Sequence, residues 1–98
     1  MLESEYQAKL IKKLRRIFPD CLILKNDPEY LQGIPDLLIL HNDRWALLEV
    51  KASENADTRP NQQYYVDRGN ELSYAAFIYP ENEKEVLDDL RSTFRTSR

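Results

Sequence analysis

The chain predicts a single α/β domain with the element order αβββαβα, and three observations lead there. Residues 2–18 carry apolar side chains at helical period, with Leu2, Tyr6, Leu10, Ile11, Leu14, Ile17 and Phe18 on one stripe. Residues 36–41 and 45–51 are apolar runs on either side of Asn42-Asp43, the composition of two strands joined by a tight turn. From residue 60 onward the pattern changes to helix, strand and helix, punctuated by Pro60, Gly69 and Pro80.

Each element has its own justification. Pro19 ends the first helix. Residues 21–25 form a short strand, opened by Cys21, which reads as a buried, inert thiol. Asn26, Asp27, Pro28, Gly33 and Pro35 make residues 26–35 a loop, with Gly33 expected to serve a turn at positive φ. The hairpin follows, and then a polar loop over 52–59 without periodicity. Pro60-Asn61 starts a helix through about Arg68, with Gly69-Asn70 as its C-cap. Residues 74–79 are a fourth strand, and 82–94 a last helix with Val86, Leu87, Leu90 and Phe94 on one face. Residues 95–98 read as a frayed tail.

Composition narrows the function classes. Ninety-eight residues suit one domain, and 42% hydrophobic residues are too many for a disordered chain. No apolar run approaches the ~20 residues of a membrane span. One cysteine excludes an intramolecular disulfide and a cysteine-based zinc site. With an acidic, polar start at Met1-Leu2-Glu3-Ser4-Glu5, the expectation is a cytoplasmic protein with no membrane partner. The net charge is −3, which argues against strong sequence-independent binding to nucleic acid. The charge is unevenly spread: Lys9, Lys12, Lys13, Arg15 and Arg16 crowd the first helix, and Arg91, Arg95 and Arg98 the last.

The chemistry concentrates at residues 35–51. Asp36 opens the first hairpin strand, while Glu49 and Lys51 close the second. Strand interiors exclude such charges, and alternation puts Glu49 and Lys51 on one face with Leu48 and Val50 on the other. A hairpin returns the end of its second strand to the start of its first, so Asp36 comes beside Glu49 and Lys51. Two carboxylates with a nearby lysine suit a Mg²⁺ ion, which takes one or two carboxylates and keeps several waters. A divalent cation activates water and stabilises charge on a phosphate, so hydrolysis of a phosphodiester is the reaction expected. His41, at the far end of the hairpin, has no expected role.

Gly33-Ile34-Pro35-Asp36, followed by Leu48-Glu49-Val50-Lys51 and by Pro60-Asn61-Gln62-Gln63, resembles the PD-(D/E)XK nuclease superfamily. More narrowly it is similar to the phage-like, stand-alone virus-type replication-repair nucleases, the VRR-NUC family. The resemblance covers nearly the whole chain. It implies a restriction-endonuclease-like αβββαβ core, a mixed four-stranded sheet flanked by helices, to which this chain adds a C-terminal helix. It also implies a further acid from the first helix, a ligand from the Val50 main-chain carbonyl, and a glutamine approaching the scissile phosphate. Helical geometry selects Glu3 for the acid, with Gln7 one turn on, because Glu5 falls on the opposite face with Lys9, Lys12 and Arg16 and is placed to pair with Lys9. Gln62 is preferred to Gln63 because it shares a helix face with Tyr65 and Val66. Tyr64 and Tyr65 read as core or rim aromatics.

The expected catalytic set is therefore Asp36, Glu49, Lys51, Glu3 and Gln62, and the expected metal ligands are Asp36, Glu49, Val50 and Glu3. Mg²⁺ is the expected cofactor, with Mn²⁺ able to substitute. Lys25, Asn26, Tyr30, Gln32 and Arg59 are candidate contacts to a nucleic-acid backbone. The function expected is metal-dependent endonucleolytic cleavage of DNA, structure-specific for a Holliday junction or flap, by a homodimer. The alternative is a nucleic-acid-binding or assembly module that keeps the fold without activity. A sequence-specific restriction enzyme ranks lower, since so short a chain leaves little room for a base-reading element.

Overall fold

A computed structural model describes residues 1–95, so that of the expected tail 96–98, and the Arg98 counted among the basic residues, lie outside the described residues. Helix α1 (Glu3–Ile17) buries Tyr6, Leu10, Ile11 and Leu14, with Phe18 buried just beyond its end. Leu2, expected on the buried stripe, instead precedes the helix and is exposed. Its amide donates to Glu5 Oε1 at 3.0 Å, which satisfies one of the unpaired donors of the helix start.

Strands β1 (Leu22–Lys25), β2 (Leu37–His41), β3 (Arg44–Val50) and β4 (Tyr74–Ile78) form one sheet in that spatial order. The first two pairings are antiparallel and the third is parallel, so the sheet is mixed. The β2–β3 connection is the expected two-residue turn, with Asn42 at φ 56°. Parallel strands need a crossover, and helix α2 (Pro60–Leu72) provides it between β3 and β4. Helix α3 (Glu83–Phe94) ends the fold.

Period-two alternation divides the sheet into two faces. Leu37, Ile39, Ala46, Leu48, Val50 and Ile78 join the apolar faces of α1 and α3 in the main core. Leu47, Glu49 and Ala75 point the other way, and α2 packs over β3 and β4 on that side. Cys21 is half-buried against the main core, where burial pushes its thiol up. His41 also turns out to be a packing residue, its ring 5.9 Å from that of Phe18 and stacked 5.3 Å from that of Phe94. Its Nδ1 is buried without a hydrogen-bond partner among the described residues.

One helix end differs from expectation. Gly69 does not cap α2; the helix continues to Leu72, and Ser73 N–H closes it by donating to Gly69 O at 2.7 Å. The glycine has a packing reason instead. A Cβ built at Gly69 would lie 2.6 Å from Ala75 Cβ and 3.2 Å from Leu47 Cδ1. Its absence lets α2 settle against β3 and β4. Asn70, the other half of the expected cap, accepts a hydrogen bond from Ala75 N–H at 2.8 Å and ties the same junction. Gly69→Val should therefore destabilise the fold by about 1–3 kcal/mol, from overpacking that outweighs the small gain in helix propensity, seen as a lower urea midpoint. An unchanged midpoint would show that the α2–sheet contact is not tight.

Candidate active site

Register brings the site together. Leu37 pairs with Leu48, so Asp36, immediately before β2, comes beside Glu49 near the end of β3. Asp36 and Lys51, expected as strand residues, each lie one residue outside their strands. Val50 N–H donates to Asp36 Oδ2 at 2.9 Å, and Lys51 N–H donates to Ile78 O at 2.9 Å. Because α2 runs back over the strand it follows, its first turn sits above the C-terminal end of β3. Gln62 comes down from that turn onto the charges.

Gln62 holds the site together. Its Oε1 accepts from Lys51 Nζ at 2.8 Å and from Arg59 N–H at 3.1 Å, while its Nε2 donates to Glu49 Oε2 at 3.2 Å. Gln63, by contrast, faces outward and donates to Asp67 Oδ1 at 2.8 Å. Lys51 also donates to Asp57 O at 2.8 Å, and its ammonium lies 3.9 Å from Glu49 Oε2. Both charges are buried, Glu49 at 4% exposure and Lys51 at 7%. As expected, Leu48 and Val50 lie on the opposite face, in the main core.

The electrostatics follow from this crowding. Burial is the main cause that raises the Glu49 carboxyl, the adjacent Asp36 charge adds to it, and Lys51 only partly offsets them, which leaves Glu49 at about 8. Burial likewise raises Asp36, opposed by the Val50 amide, the Lys51 charge and a hydrogen bond with Glu49. Glu3, though exposed overall, is raised by partial desolvation and by Asp36, and in turn acts on Glu49, so the N-terminus of α1 reaches the field of the site. Glu5 is occupied at the Leu2 amide and forms no ion pair with Lys9, contrary to the pairing expected of it.

The site opens into a cleft of about 520 Å³ lined by Asp36, Glu49, Gln62, Arg59, Gln32 and Asn61, among others. Of the candidate backbone contacts, Gln32 and Arg59 therefore reach the cleft. Lys25 is exposed at the end of the β1 edge strand, and Tyr30 is 87% exposed on the loop, both away from the cleft wall. Asn26 is a structural residue. Its Nδ2 donates to Pro35 O at 2.8 Å and its N–H to Asp36 O at 2.9 Å, which fixes the loop ahead of Asp36. Sequence reasoning passes over Asn61 as a cleft residue. It fills the space beside Gly33, whose φ is +93° and where a Cβ would come 2.7 Å from Asn61 Cγ. Gly33 thus serves both the expected turn and a close approach between loop and helix. The carbonyl of Asp57 is equally invisible in the sequence, because nothing in a polar loop marks which main-chain oxygen will meet a lysine. Tyr64 is exposed and Tyr65 half-buried, in edge contact at 5.0 Å, as rim aromatics.

Among the described residues, no three His, Cys, Asp or Glu side chains are gathered closely enough to form a metal-binding cluster. The expected set of Glu3, Asp36 and Glu49 is not closed here: Glu3 is exposed and outside the cleft wall. The Asp36–Glu49 pair still fits a hard divalent cation. Two neighbouring carboxylates repel in a half-buried setting with one ammonium to share, and Mg²⁺ needs only one or two carboxylates when it keeps its waters.

The ionisation of Glu49 makes a stability prediction. Its pKa rises from 4.5 to about 8 on folding, so the folded chain holds the proton more tightly. That contribution is full below 4.5 and is lost as pH rises through about 8. Glu49→Gln should therefore be more stable than the wild type by on the order of 1–3 kcal/mol at about pH 8.5 without metal, and similar to it near pH 4.5. Urea midpoints in EDTA at both pH values measure this; an equal difference at both would remove ionisation as the cause. Compared with known family models, curated proteins and solved structures, the chain matches none.

Proposed function

We propose that this protein is a metal-dependent endonuclease of the PD-(D/E)XK type, close to the VRR-NUC family, that hydrolyses phosphodiester bonds in branched DNA. The observation that carries the reading is the convergence of Asp36, Glu49 and Gln62 on the wall of one cleft, with Gln62 bonded to Glu49 and to the buried Lys51 beside it. A buried lysine beside two carboxylates costs folding energy, so a site that keeps them suits chemistry better than structure. In this reading the mixed sheet with its αβββαβ order is the restriction-endonuclease-like core, and α3 is an addition to it.

Asp36 and Glu49 would hold Mg²⁺ or Mn²⁺, with the Val50 carbonyl and Glu3 completing its surroundings. The cation supplies Lewis acidity at the scissile phosphate and activates water. Lys51 is fixed by Asp57 O and Gln62, so its ammonium charge stays beside the reacting phosphate without reorganising. Gln62 is a positioning residue, since it acts through Lys51 and Glu49. Arg59 and Gln32 on the cleft wall would hold the DNA backbone. Symmetric cutting of a junction needs two such sites, hence a homodimer. The β1 edge, with Leu22 and Leu24 exposed at 55% and 41%, offers it an apolar surface, whereas α3 presents the Lys84–Asp88–Arg91 charges outward. Among the described residues no helix is long and apolar enough to cross a membrane.

The deciding assay is Mg²⁺-dependent cleavage of a labelled four-way junction, with a flap and a matched duplex alongside. Asp36→Asn, which keeps an acceptor for the Val50 amide, and Lys51→Ala should each lower cleavage on the order of 10²–10³-fold, and EDTA should abolish it. Cleavage that survives EDTA and Asp36→Asn would sink the proposal; no cleavage of any substrate with either metal would favour the binding module. Binding is tested separately: Mn²⁺ should raise the melting temperature of the wild type and leave that of Asp36→Asn unchanged. Gln62→Ala should lower the rate and shift the pH–rate profile, because it alters the surroundings of both Lys51 and Glu49; a fall in rate with an unmoved profile would give it a merely structural role.

A further inference from the structure

We infer that the outer face of α1 is a docking track for the phosphate backbone of a DNA duplex arm, with Lys9, Lys12 and Arg16 as its contacts. The inference rests on the nuclease reading for the identity of the partner, and on separate observations for the surface. Lys9, Lys12 and Arg16 stand at positions i, i+3 and i+7 of one helix and line one cleft of about 440 Å³ together with Tyr6, Leu10 and Pro80. Among the described residues none of the three forms a hydrogen bond or an ion pair with a carboxylate. The acid in that cleft, Glu83, is already neutralised by Lys13 and accepts a hydrogen bond from Tyr6 Oη at 2.8 Å. The groove therefore presents uncompensated positive charge on a chain whose net charge is −3.

Its geometry suits a nucleic-acid strand. At ~1.5 Å per residue, Lys9 and Arg16 are separated by about 10 Å along the helix. Phosphates of one DNA strand succeed each other at about 3.4 Å along the duplex axis and wind around it, so this span reaches neighbouring phosphates of one strand. The same helix begins at Glu3, which lies in the electrostatic field of Asp36 and Glu49. One rigid rod thus runs from the carboxylate site to the basic ridge, and would fix the distance between the bond to be cut and the phosphates that are gripped. Backbone contacts of this kind supply affinity and register without base reading, as a structure-specific enzyme requires.

The test measures binding apart from cleavage. A fluorescently labelled duplex is titrated with Asp36→Asn protein in EDTA, by anisotropy at several salt concentrations, with and without Lys9→Ala/Lys12→Ala/Arg16→Ala. These exposed helical positions tolerate alanine, and circular dichroism verifies the fold. The triple variant should bind at least tenfold more weakly, with a salt slope smaller by about 0.9 for each charge removed. Arg44→Ala/Arg68→Ala, on the hairpin and α2, should change affinity less than twofold. Unchanged affinity and slope in the triple variant, or an equal loss in the control, would overturn the track. Its failure and that of the nuclease reading are distinguishable: ridge-dependent binding without cleavage by the wild type leaves the track standing alone, and cleavage without ridge dependence leaves the nuclease alone.

Discussion

Two carboxylates and one ammonium held together at the end of a sheet are the constraint around which this fold is arranged. Asp36 and Glu49 repel, and burial makes each reluctant to ionise. Lys51 compensates only in part. The rest comes from neutral groups at fixed places: the Val50 amide on Asp36, and the Gln62 side chain, which accepts from Lys51 and donates to Glu49. An amide side chain suits that position because it has a donor and an acceptor side by side, one for each sign of charge. A charged residue there would satisfy one neighbour and repel the other.

Several features distant from the charges serve this arrangement. Gly69 brings α2 close to β3 and β4, which sets the helix position and hence that of Gln62 two turns earlier. Gly33 lets Asn61 pack against the loop that leads to Asp36, so loop and helix start are fixed to each other. Asn26 ties the other side of that loop to Pro35 and Asp36. Four polar or small residues, none of them charged, thus define where the charges stand.

The division of charge over the surface follows a similar logic. The acidic balance of the chain masks two separate regions, a carboxylate cleft between the loop ahead of β2 and the start of α2, and a basic ridge along the outer face of α1. Glu83 and Lys13 cancel at the boundary between α1 and α3, in contact with the hydroxyl of Tyr6. Burial and the Glu83 charge both push that phenol up, which keeps it a neutral donor. Net charge is a sum, and partners respond to the local field.

The element order, the hairpin turn at Asn42-Asp43, and the meeting of Asp36 with Glu49 and Lys51 are legible in the chain before it folds, because periodicity and hairpin register are local properties. So is the separation of Gln62 from Gln63, since helix faces follow from counting residues. Other features exist only once the chain is packed. The role of Gly69 depends on Ala75 and Leu47, brought next to it by a parallel crossover that no local pattern encodes. Asn61, the Asp57 carbonyl and the inward use of Asn26 depend on how loops close over the strand ends. The shift of Glu49 to about 8 depends on how deeply it is buried and which charges face it. Spacing along a chain specifies which residues share a face; only packing specifies what that face meets.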